Sequence, residues 1–219
     1  MERGRRRVIN AGYEIISDLN GAEILKHIER CARVCYKSED RITDGSAEKM
    51  VAALIRSGHE AMLEHYSFTV KFICDRGVSH ELVRHRIASF AQESSRYCCY
   101  AKDKFGKELT FINPCFWEPD SDNYARWFHE MDEAEKTYLA MIEDGATPEQ
   151  ARDILPISIK TEIVMTANLR EWRHFFKLRA EEVTGKPHPQ MLEITIPLLK
   201  ELKQKVPVVF DDIMSEDTT

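Results

Sequence analysis

The pattern that most limits the fold of this chain is residues 66–73, where apolar and polar side chains alternate strictly through Phe72. A period of two places alternate side chains on opposite faces of a strand, so this segment predicts a half-buried β-strand. Residues 159–167 are β-like as well, whereas residues 121–143 and 189–205 repeat apolar side chains at helical spacing. Because strands and helices mix without a regular βαβ alternation, we predict an α+β fold with a central, mostly antiparallel sheet flanked by helices.

Capping residues predict where helices begin and end. Ser46 and Ser79 can each cap a helix, because a serine hydroxyl accepts a hydrogen bond from a backbone N–H of the first turn. Residues 147–150 form a capping box with proline at the first helical position, which predicts another helix start. Pro197 predicts an interruption of the last helix, because proline lacks the N–H that continues the helical ladder.

The composition predicts one globular domain. Hydrophobic residues make up 43% of the 219 residues, which is enough for one sizeable core, and no shift in composition marks a linker. We therefore predict a single domain over residues 1–219, with a short basic N-terminus and an acidic C-terminal tail. We expect no signal peptide and no membrane segment, since no apolar run approaches the roughly 20 residues of a spanning helix. The six cysteines form no CxxC pair, which favours reduced thiols and a cytoplasmic protein.

The charge is distributed unevenly along the chain. The 31 Lys and Arg against 37 Asp and Glu give a net charge of −6, which argues against a surface built to hold nucleic acid. Residues 84–107, in contrast, carry six Lys or Arg and two acids, a net charge of +4, and they include three serines. Arginine forks and serine hydroxyls together bind phosphate, so this stretch predicts an anion site. The residues alone leave open a solvated, charged helix face.

A motif in this stretch resembles the signature of a known family. Arg84-His85-Arg86, seven further residues and Ser94 reproduce the RHR-x7-S signature of the flavin-dependent thymidylate synthases. Other segments are similar to the family in order and spacing, so the resemblance covers residues 20–205. These segments are residues 58–65, residues 151–156, the run of Asn168, Arg170, His174 and Arg179, and the His-Pro-Gln at 188–190.

The resemblance implies a fold and a reaction. The chain is expected to adopt the fold of that family and to methylate the uracil C5 of dUMP to dTMP, in de novo thymidylate biosynthesis. Methylenetetrahydrofolate would supply the carbon, and NADPH would supply the hydride through FAD. The family needs no cysteine nucleophile, so none of the six cysteines is expected to be catalytic. The resemblance further implies a homotetramer whose active sites combine several subunits, and we expect no nucleic acid, membrane or metal ion as a partner.

The resemblance also assigns roles to residues. The cofactor-binding residues that it implies for FAD are His59, Arg84, His85, Arg86, Gln92, Asn168, Arg170 and His174. The residues that it implies for dUMP are Glu81, Arg84, Gln92, Glu93, Ser94, Ser95, Arg96, Arg152 and Arg179. The phosphate is expected over Ser94, Ser95 and Arg96, with Arg152 added, because clustered arginines suit a dianion. From its position just past a helix, His59 is also compatible with a structural role.

Arg179 is the expected catalytic residue. It follows Trp172, Phe175 and Phe176 at helical spacing, so it projects from the apolar face of its helix. The residues alone leave open an arginine whose stem packs at the edge of the core. By resemblance, its guanidinium lies against the uracil and stabilises the pyrimidine that is deprotonated at N3.

Several positions depart from the family pattern. Ala91-Gln92 stands where the family often has Asn-Glu, and Gln92 keeps hydrogen-bonding capacity but lacks the carboxylate. Glu81 stands where Gln is common, Ala61 stands where some members have Thr, and residues 183–187 resemble an insertion. These departures leave open a protein that keeps the fold and binds nucleotide or flavin without full catalysis.

Two other functions compete with this interpretation. A metal hydrolase could use His59, His65 and His85, but the first two do not have the spacing of two ligands on one helix face. An RNA-binding module could stack bases on Phe90 and Tyr97, but the net charge of −6 and the absence of an RNA-binding motif argue against it.

Overall fold

The computed structural model describes residues 7–181 and 183–214, with the side chain of residue 104 outside the description. The basic start and the acidic end predicted for the chain lie in part outside these residues. The strands are β1 (Val8–Ile9), β2 (Gly12–Ile15), β3 (Ser67–Asp75), β4 (Ala88–Gln92), β5 (Phe111–Ile112) and β6 (Lys160–Asn168). The helices are α1 (Gly21–Val34), α2 (Ser46–Arg56), α3 (Arg76–Leu82), α4 (Asp122–Glu143), α5 (Pro148–Ala151), α6 (Leu169–Arg179) and α7 (Pro189–Lys205). Among the described residues, none of the helices is long and apolar enough to cross a membrane.

The strands form a two-stranded and a four-stranded sheet. β1 pairs in parallel with β5, with Val8 opposite Phe111. The four-stranded sheet has the order β2-β3-β6-β4. Phe68, Val70 and Phe72 of β3 are buried and alternate with less buried residues, as the pattern in the sequence predicts. The α+β class, with an antiparallel sheet flanked by helices, is confirmed.

The described residues form two compact units, each built from separate segments of the chain. The first unit contains the segment that ends at Gly12, together with Phe72–Arg84 and Ala91–Val164. The second unit contains Tyr13–Lys71, His85–Phe90 and the segment that begins at Met165. The single domain expected from the composition stays a prediction.

The core of the first unit is built around α4. The indole N–H of Trp127 donates to the hydroxyl of Ser158 at 3.1 Å, so the polar atom of a large buried side chain is satisfied. Arg7 fastens β1 to this helix through ion pairs with Asp132 at 2.5 Å and Glu135 at 3.0 Å. The buried members of the core cluster are Tyr100, Leu109, Phe111, Trp127, Met131, Tyr138, Ala151 and Ile159.

The core of the second unit is built around α6. Trp172 stacks on Phe68 with ring centroids 4.8 Å apart, and its indole N–H donates to the carbonyl of Phe68 at 3.3 Å. Phe175 and Phe176 are fully buried beside the indole ring. The apolar face predicted for this helix is therefore confirmed.

Arg173 is a buried arginine of α6 with a structural role. Its guanidinium donates to Glu60 at 3.0 Å, to Asp212 at 2.6 Å and to the carbonyl of Val209. Although burial by itself raises the pKa of Asp212, the bonds from Arg173 lower it below its ordinary value. Arg173 therefore fastens the 3-10 turn Glu60–His65 and the segment after α7 to the same helix.

The predicted start of α3 is wrong. The helix begins at Arg76 rather than after Ser79, because the carboxylate of Asp75 accepts a hydrogen bond from the backbone N–H of Val78 at 2.7 Å. The hydroxyl of Ser79 lies inside the helix and donates to the carbonyl of Arg76 at 3.0 Å. An additional turn with an arginine at its start therefore precedes the predicted helix.

Two further helix predictions are also wrong. Ser46 is the first residue of α2 rather than its cap, which is Gly45, and its hydroxyl donates to Glu29 at 2.9 Å. Pro197 does not interrupt α7, which continues through it. The missing N–H removes one helical bond, and the burial of neighbouring side chains such as Leu198 holds the helix together.

Candidate active site

Some of the site residues implied by the resemblance lie in two polar regions. One region is in the first compact unit and the other is in the second. The first unit holds a cleft, the arginine cleft, lined by Arg76, His80, Ser95, Arg152, Asp153, Leu155, Pro156, Ile157 and Ile159. The second unit holds a group of polar side chains, the His85 cluster, made of the buried His85 and Glu171, the half-buried Arg179 and the exposed His174.

The arginine cleft has a volume of about 450 Å³, a size that accommodates a small molecule. Its lining includes two guanidinium groups, an imidazole and a hydroxyl, together with the carboxylate of Asp153. α3 contributes Arg76 and His80, which lie four residues apart and therefore on one face of the helix. Guanidinium and hydroxyl groups that converge on one cavity suit a phosphate.

Two of the four residues expected at the phosphate line this cleft. Ser95 and Arg152 do so, whereas Ser94 and Arg96 are not among its lining residues in the part of the chain that is described. The hydroxyl of Ser94 accepts from the backbone N–H of Arg96 at 3.3 Å and so shapes the turn after β4. The exposed guanidinium of Arg96 pairs with Glu149 at 2.9 Å.

Arg76 and Glu93 belong to one polar network. The guanidinium of Arg76 donates to the backbone carbonyl of Glu93 at 3.2 Å. The carboxylate of Glu93 accepts from the phenol of Tyr100 at 3.0 Å, and burial together with this carboxylate raises the pKa of Tyr100. Although burial by itself lowers the pKa of Lys160, its hydrogen bonds to Glu162 and Glu93 raise it. The network therefore holds the guanidinium of Arg76, one of the two cleft arginines, through the backbone of Glu93.

The other predicted residues of the first unit lie at the end of α3 and on β4. The side chain of Arg84 is exposed, and its backbone N–H donates to the carbonyl of the half-buried Glu81 at 3.2 Å. The amide of Gln92 donates to the hydroxyls of Ser79 at 2.9 Å and of Thr161 at 3.2 Å. These bonds hold the Gln92 side chain within the protein.

Arg76 and His80 line the cleft but are not among the site residues predicted from the sequence. A helix start at Ser79 leaves Arg76 outside the helix, so its alignment with His80 is not visible. The signal that finds them is Asp75, an equally good capping residue, which puts both side chains on the first two turns of one helix.

His85 is buried, with 4% of its surface exposed, and both of its ring nitrogens have protein partners. Its Nδ1 lies 3.0 Å from Oε1 of Glu171, and its Nε2 lies 3.3 Å from Nε of Arg179. The side chain of Asn168 caps α6 by accepting from the backbone N–H of Glu171 at 2.9 Å. The ring of His174 lies edge-on to His85, with centroids 5.8 Å apart. A carboxylate, an imidazole and a guanidinium thus form one chain of contacts.

The electrostatics of the cluster favour a neutral imidazole. Burial lowers the pKa of His85, and the positive charge of Arg179 lowers it further, although Glu171 opposes both effects. The guanidinium can only donate, so the Nε2 that faces it must be the unprotonated nitrogen. The ring proton then lies on Nδ1 and is donated to Glu171.

The cluster also has the spacing of a metal site. One ligand atom each from His85, Glu171 and His174 lies within 4.8 Å of the other two. The chemistry of the donor set argues against a cation, because the second nitrogen of His85 faces the guanidinium of Arg179 at 3.3 Å. The absence of a metal ion stays a prediction.

Most of the other residues of the second unit that are expected at FAD are accessible. The side chains of His59, Arg86, Arg170 and His174 are exposed, and Arg170 pairs with Glu64 at 2.6 Å. Exposed guanidinium and imidazole groups suit the pyrophosphate of a dinucleotide flavin, so this donor set fits the cofactor in its chemistry.

Comparisons with known proteins identify the family. The family model described as thymidylate synthase complementing protein matches residues 15–208. The flavin-dependent thymidylate synthase of Pyrococcus furiosus is 38% identical over 170 residues, which cover 77% of this chain and 68% of that protein. The enzyme of the same name from Geobacter sulfurreducens is 31% identical over 188 residues, covering 83% of this chain and 78% of that protein.

A solved structure has the same fold. The UMP/dUMP methylase PolB from Streptomyces cacaoi, bound with 5-Br dUMP, superimposes with a TM-score of 0.76 at 22% sequence identity. The match covers 94% of this chain and 95% of that one. Together with the family model and the curated relatives, it confirms the resemblance found in the RHR-x7-S signature. The chain belongs to the flavin-dependent thymidylate synthases, a family of methyltransferase enzymes.

Proposed function

We propose that this chain carries out the reductive methylation of dUMP to dTMP, with methylenetetrahydrofolate as the carbon donor and NADPH as the reductant. The observation that carries the proposal is Arg179, a guanidinium held by a buried imidazole at the position that matches the uracil-binding arginine of the family. When bound, FAD supplies the reducing equivalents that NADPH delivers.

The arginine cleft takes the phosphate of dUMP in this proposal. Ser95 and Arg152 were expected there from the family, and Arg76 and His80 line the same cavity. Charge-assisted bonds from guanidinium groups bind a dianion strongly and in a fixed orientation. The cleft therefore supplies affinity and orients the nucleotide.

Arg179 acts on the base. A guanidinium against the uracil stabilises the anionic form of the base, whose N3 proton has passed to water, and C5 is more nucleophilic in this form. Because Nε is already bonded to His85, the orientation of the guanidinium is fixed before substrate arrives. A preorganised cation of this kind lowers the barrier without reorganising during the reaction.

The flavin is held by the exposed cations and imidazoles at His59, Arg84, Arg86, Arg170 and His174. Their donor chemistry suits a pyrophosphate. Asn168, Gln92 and His85, which the resemblance also implies, are bonded to other protein groups and hold neighbouring structure in place.

The proposal includes a homotetramer with active sites that combine several subunits, as in the family, and a cytoplasmic location. The cytoplasmic location is supported by the six cysteines, which are all free thiols.

Tritium release from dUMP labelled at C5 tests this function, because methylation replaces the hydrogen at that carbon. We expect release that requires methylenetetrahydrofolate, NADPH and FAD together, from a yellow protein that NADPH bleaches. Arg126→Ala, a change to an exposed arginine on α4, serves as the matched control and should keep full activity. A protein that binds FAD and dUMP but releases no tritium would instead be a binding protein that keeps the fold, and failure to bind FAD would contradict the proposal.

A further inference from the structure

Glu171 is a buried carboxylate to which the resemblance gives no role. It is 6% exposed, and its Oε1 lies 3.0 Å from Nδ1 of His85. It lies in the first turn of α6, where the N-terminal end of the helix favours a negative charge. The side chain of Asn168 accepts a hydrogen bond from the backbone N–H of Glu171 at 2.9 Å, which fixes the backbone that carries this carboxylate.

The three side chains connect the two ends of one helix. Glu171 stands in the first turn of α6 and Arg179 is its last residue. At 1.5 Å per residue these positions are about 12 Å apart along the axis, and His85, from a distant part of the chain, bonds to both.

The direction of these bonds follows from the chemistry of the donors. The Nε–H of arginine can only donate, so the contact at 3.3 Å requires a lone pair on Nε2 of His85. A neutral imidazole with a free Nε2 carries its proton on Nδ1, and a carboxylate is an acceptor for that proton. The opposite tautomer would set two N–H groups against each other at Arg179 and two acceptors against each other at Glu171.

We propose that Glu171 is a positioning residue for the catalytic arginine: its carboxylate holds His85 in the Nδ1–H tautomer, and the Nε2 lone pair thereby orients the guanidinium of Arg179. The inference rests on the proposed role of Arg179, but the location of the proton on His85 can be measured without turnover.

The first experiment determines the tautomer in the FAD-bound wild-type protein. Long-range proton–nitrogen correlation NMR on protein with labelled histidine distinguishes a protonated from an unprotonated ring nitrogen, and the signal that disappears in His85→Gln assigns the residue. We expect an unprotonated Nε2 at neutral pH. A protonated Nε2 would overturn the proposal whether or not the protein methylates dUMP.

The second experiment removes the carboxylate without changing its shape. In Glu171→Gln the amide can either accept or donate, so the Nε2–H tautomer of His85 becomes accessible and its NMR signal should appear. The matched control is Glu29→Gln, which changes another buried carboxylate of the second unit, one bonded to Arg33 at 2.7 Å and Ser46 at 2.9 Å. The control should leave the His85 signals as in the wild type, and a wild-type spectrum in Glu171→Gln would overturn the proposal.

Kinetics then connect the proton to the arginine. Glu171→Gln should lower kcat by about 10- to 100-fold, the range found for residues that orient a metal ligand through a hydrogen bond, while FAD content is kept. Combined with Arg179→Ala, it should have little further effect, because the group that it positions is gone. Equal factors in both backgrounds would show that Glu171 acts independently of Arg179. If wild-type protein shows the expected tautomer but no tritium release, the proposed function fails and the tautomer assignment stands.

Metal binding is the competing use of the same side chains. A metal ion would take a lone pair of His85 that faces either Glu171 or Arg179. Metal analysis of the purified protein and titration with Zn²⁺ distinguish metal binding from the positioning role of Glu171. We expect no stoichiometric metal, and Zn²⁺ bound with loss of the Arg179 contact would overturn the positioning role.

Discussion

The arginine cleft and the His85 cluster both contain arginine, but the surroundings of the guanidinium groups differ. In the cleft, Arg152 is exposed and the lining groups open onto a cavity of about 450 Å³. In the cluster, His85 is buried and each ring nitrogen already has a partner inside the protein. An open cation contributes binding energy to an anion that arrives from solution, whereas a cation tied to a buried imidazole contributes a fixed geometry. We therefore expect the cleft to determine affinity and the cluster to determine rate.

Arg179→Ala should have the largest effect on activity. Loss of one preorganised charge-stabilising group costs about 100- to 1000-fold in kcat, and dUMP binding and FAD content should be largely kept. Steady-state tritium release and the flavin absorption of the purified variant measure the two effects. Near-normal turnover would remove Arg179 from the catalytic role.

Arg173→Met should lower the free energy of unfolding by about 2 kcal/mol, because it removes charged hydrogen bonds to Glu60 and Asp212 while water can still solvate these partly exposed carboxylates. This arginine lies on the same helix as Arg179 but is fully buried, so it cannot contact the substrate. The change therefore measures the structural role of a buried arginine separately from catalysis. Urea unfolding measures the loss, and kcat of the folded fraction should stay near the wild-type value. A variant with wild-type stability and lost turnover would break the distinction between the two arginines of α6.

Arg152→Ala should raise KM for dUMP by about tenfold and leave kcat nearly unchanged, since it removes a charged hydrogen bond to a group that does not react. His80→Ala, at the same cleft, should have a smaller effect in the same direction. Saturation kinetics with dUMP measure both, with Arg126→Ala as the surface control. A fall in kcat at constant KM would place the cleft in the chemistry instead.

The pH dependence of stability should show the smallest effect. Burial lowers the pKa of His85, so as the pH falls below about 6.5 the unfolded chain binds its proton before the folded protein does. Stability is therefore lost on the acid side, down to the lowered pKa of the folded state, with Glu171 opposing the shift and Arg179 and His174 adding to it. Thermal unfolding between pH 5 and pH 8 should show this loss in the wild type. The same slope in His85→Gln would assign it to other groups.

Local patterns in the sequence predicted much of the fold. The alternation around Phe72 predicted β3, the capping box at Thr147 and Gln150 is formed by both of its hydrogen bonds, and the spacing from Trp172 predicted the buried face of α6. The start of α3 was missed because Asp75 and Ser79 are competing caps, and only the structure shows which side chain accepts the bond.

The two regions differ in how far they could be predicted. The RHR-x7-S signature identified the family and pointed to His85, but its partner Glu171 lies 86 residues away, and no local spacing connects them. Arg76 lines the cleft from the first turn of α3, and the sequence did not predict this turn. Contacts between distant segments depend on tertiary packing, and a local pattern in one sequence does not predict which segments pack together.

The difference between the cleft and the cluster is tested most directly by isothermal titration of dUMP and of deoxyuridine, which lacks the phosphate. We expect that the wild type and Arg179→Ala both bind dUMP much more tightly than deoxyuridine, and that Arg152→Ala loses most of this preference. A preference that survives in Arg152→Ala and disappears in Arg179→Ala would contradict the assignment of affinity to the cleft and of chemistry to the cluster.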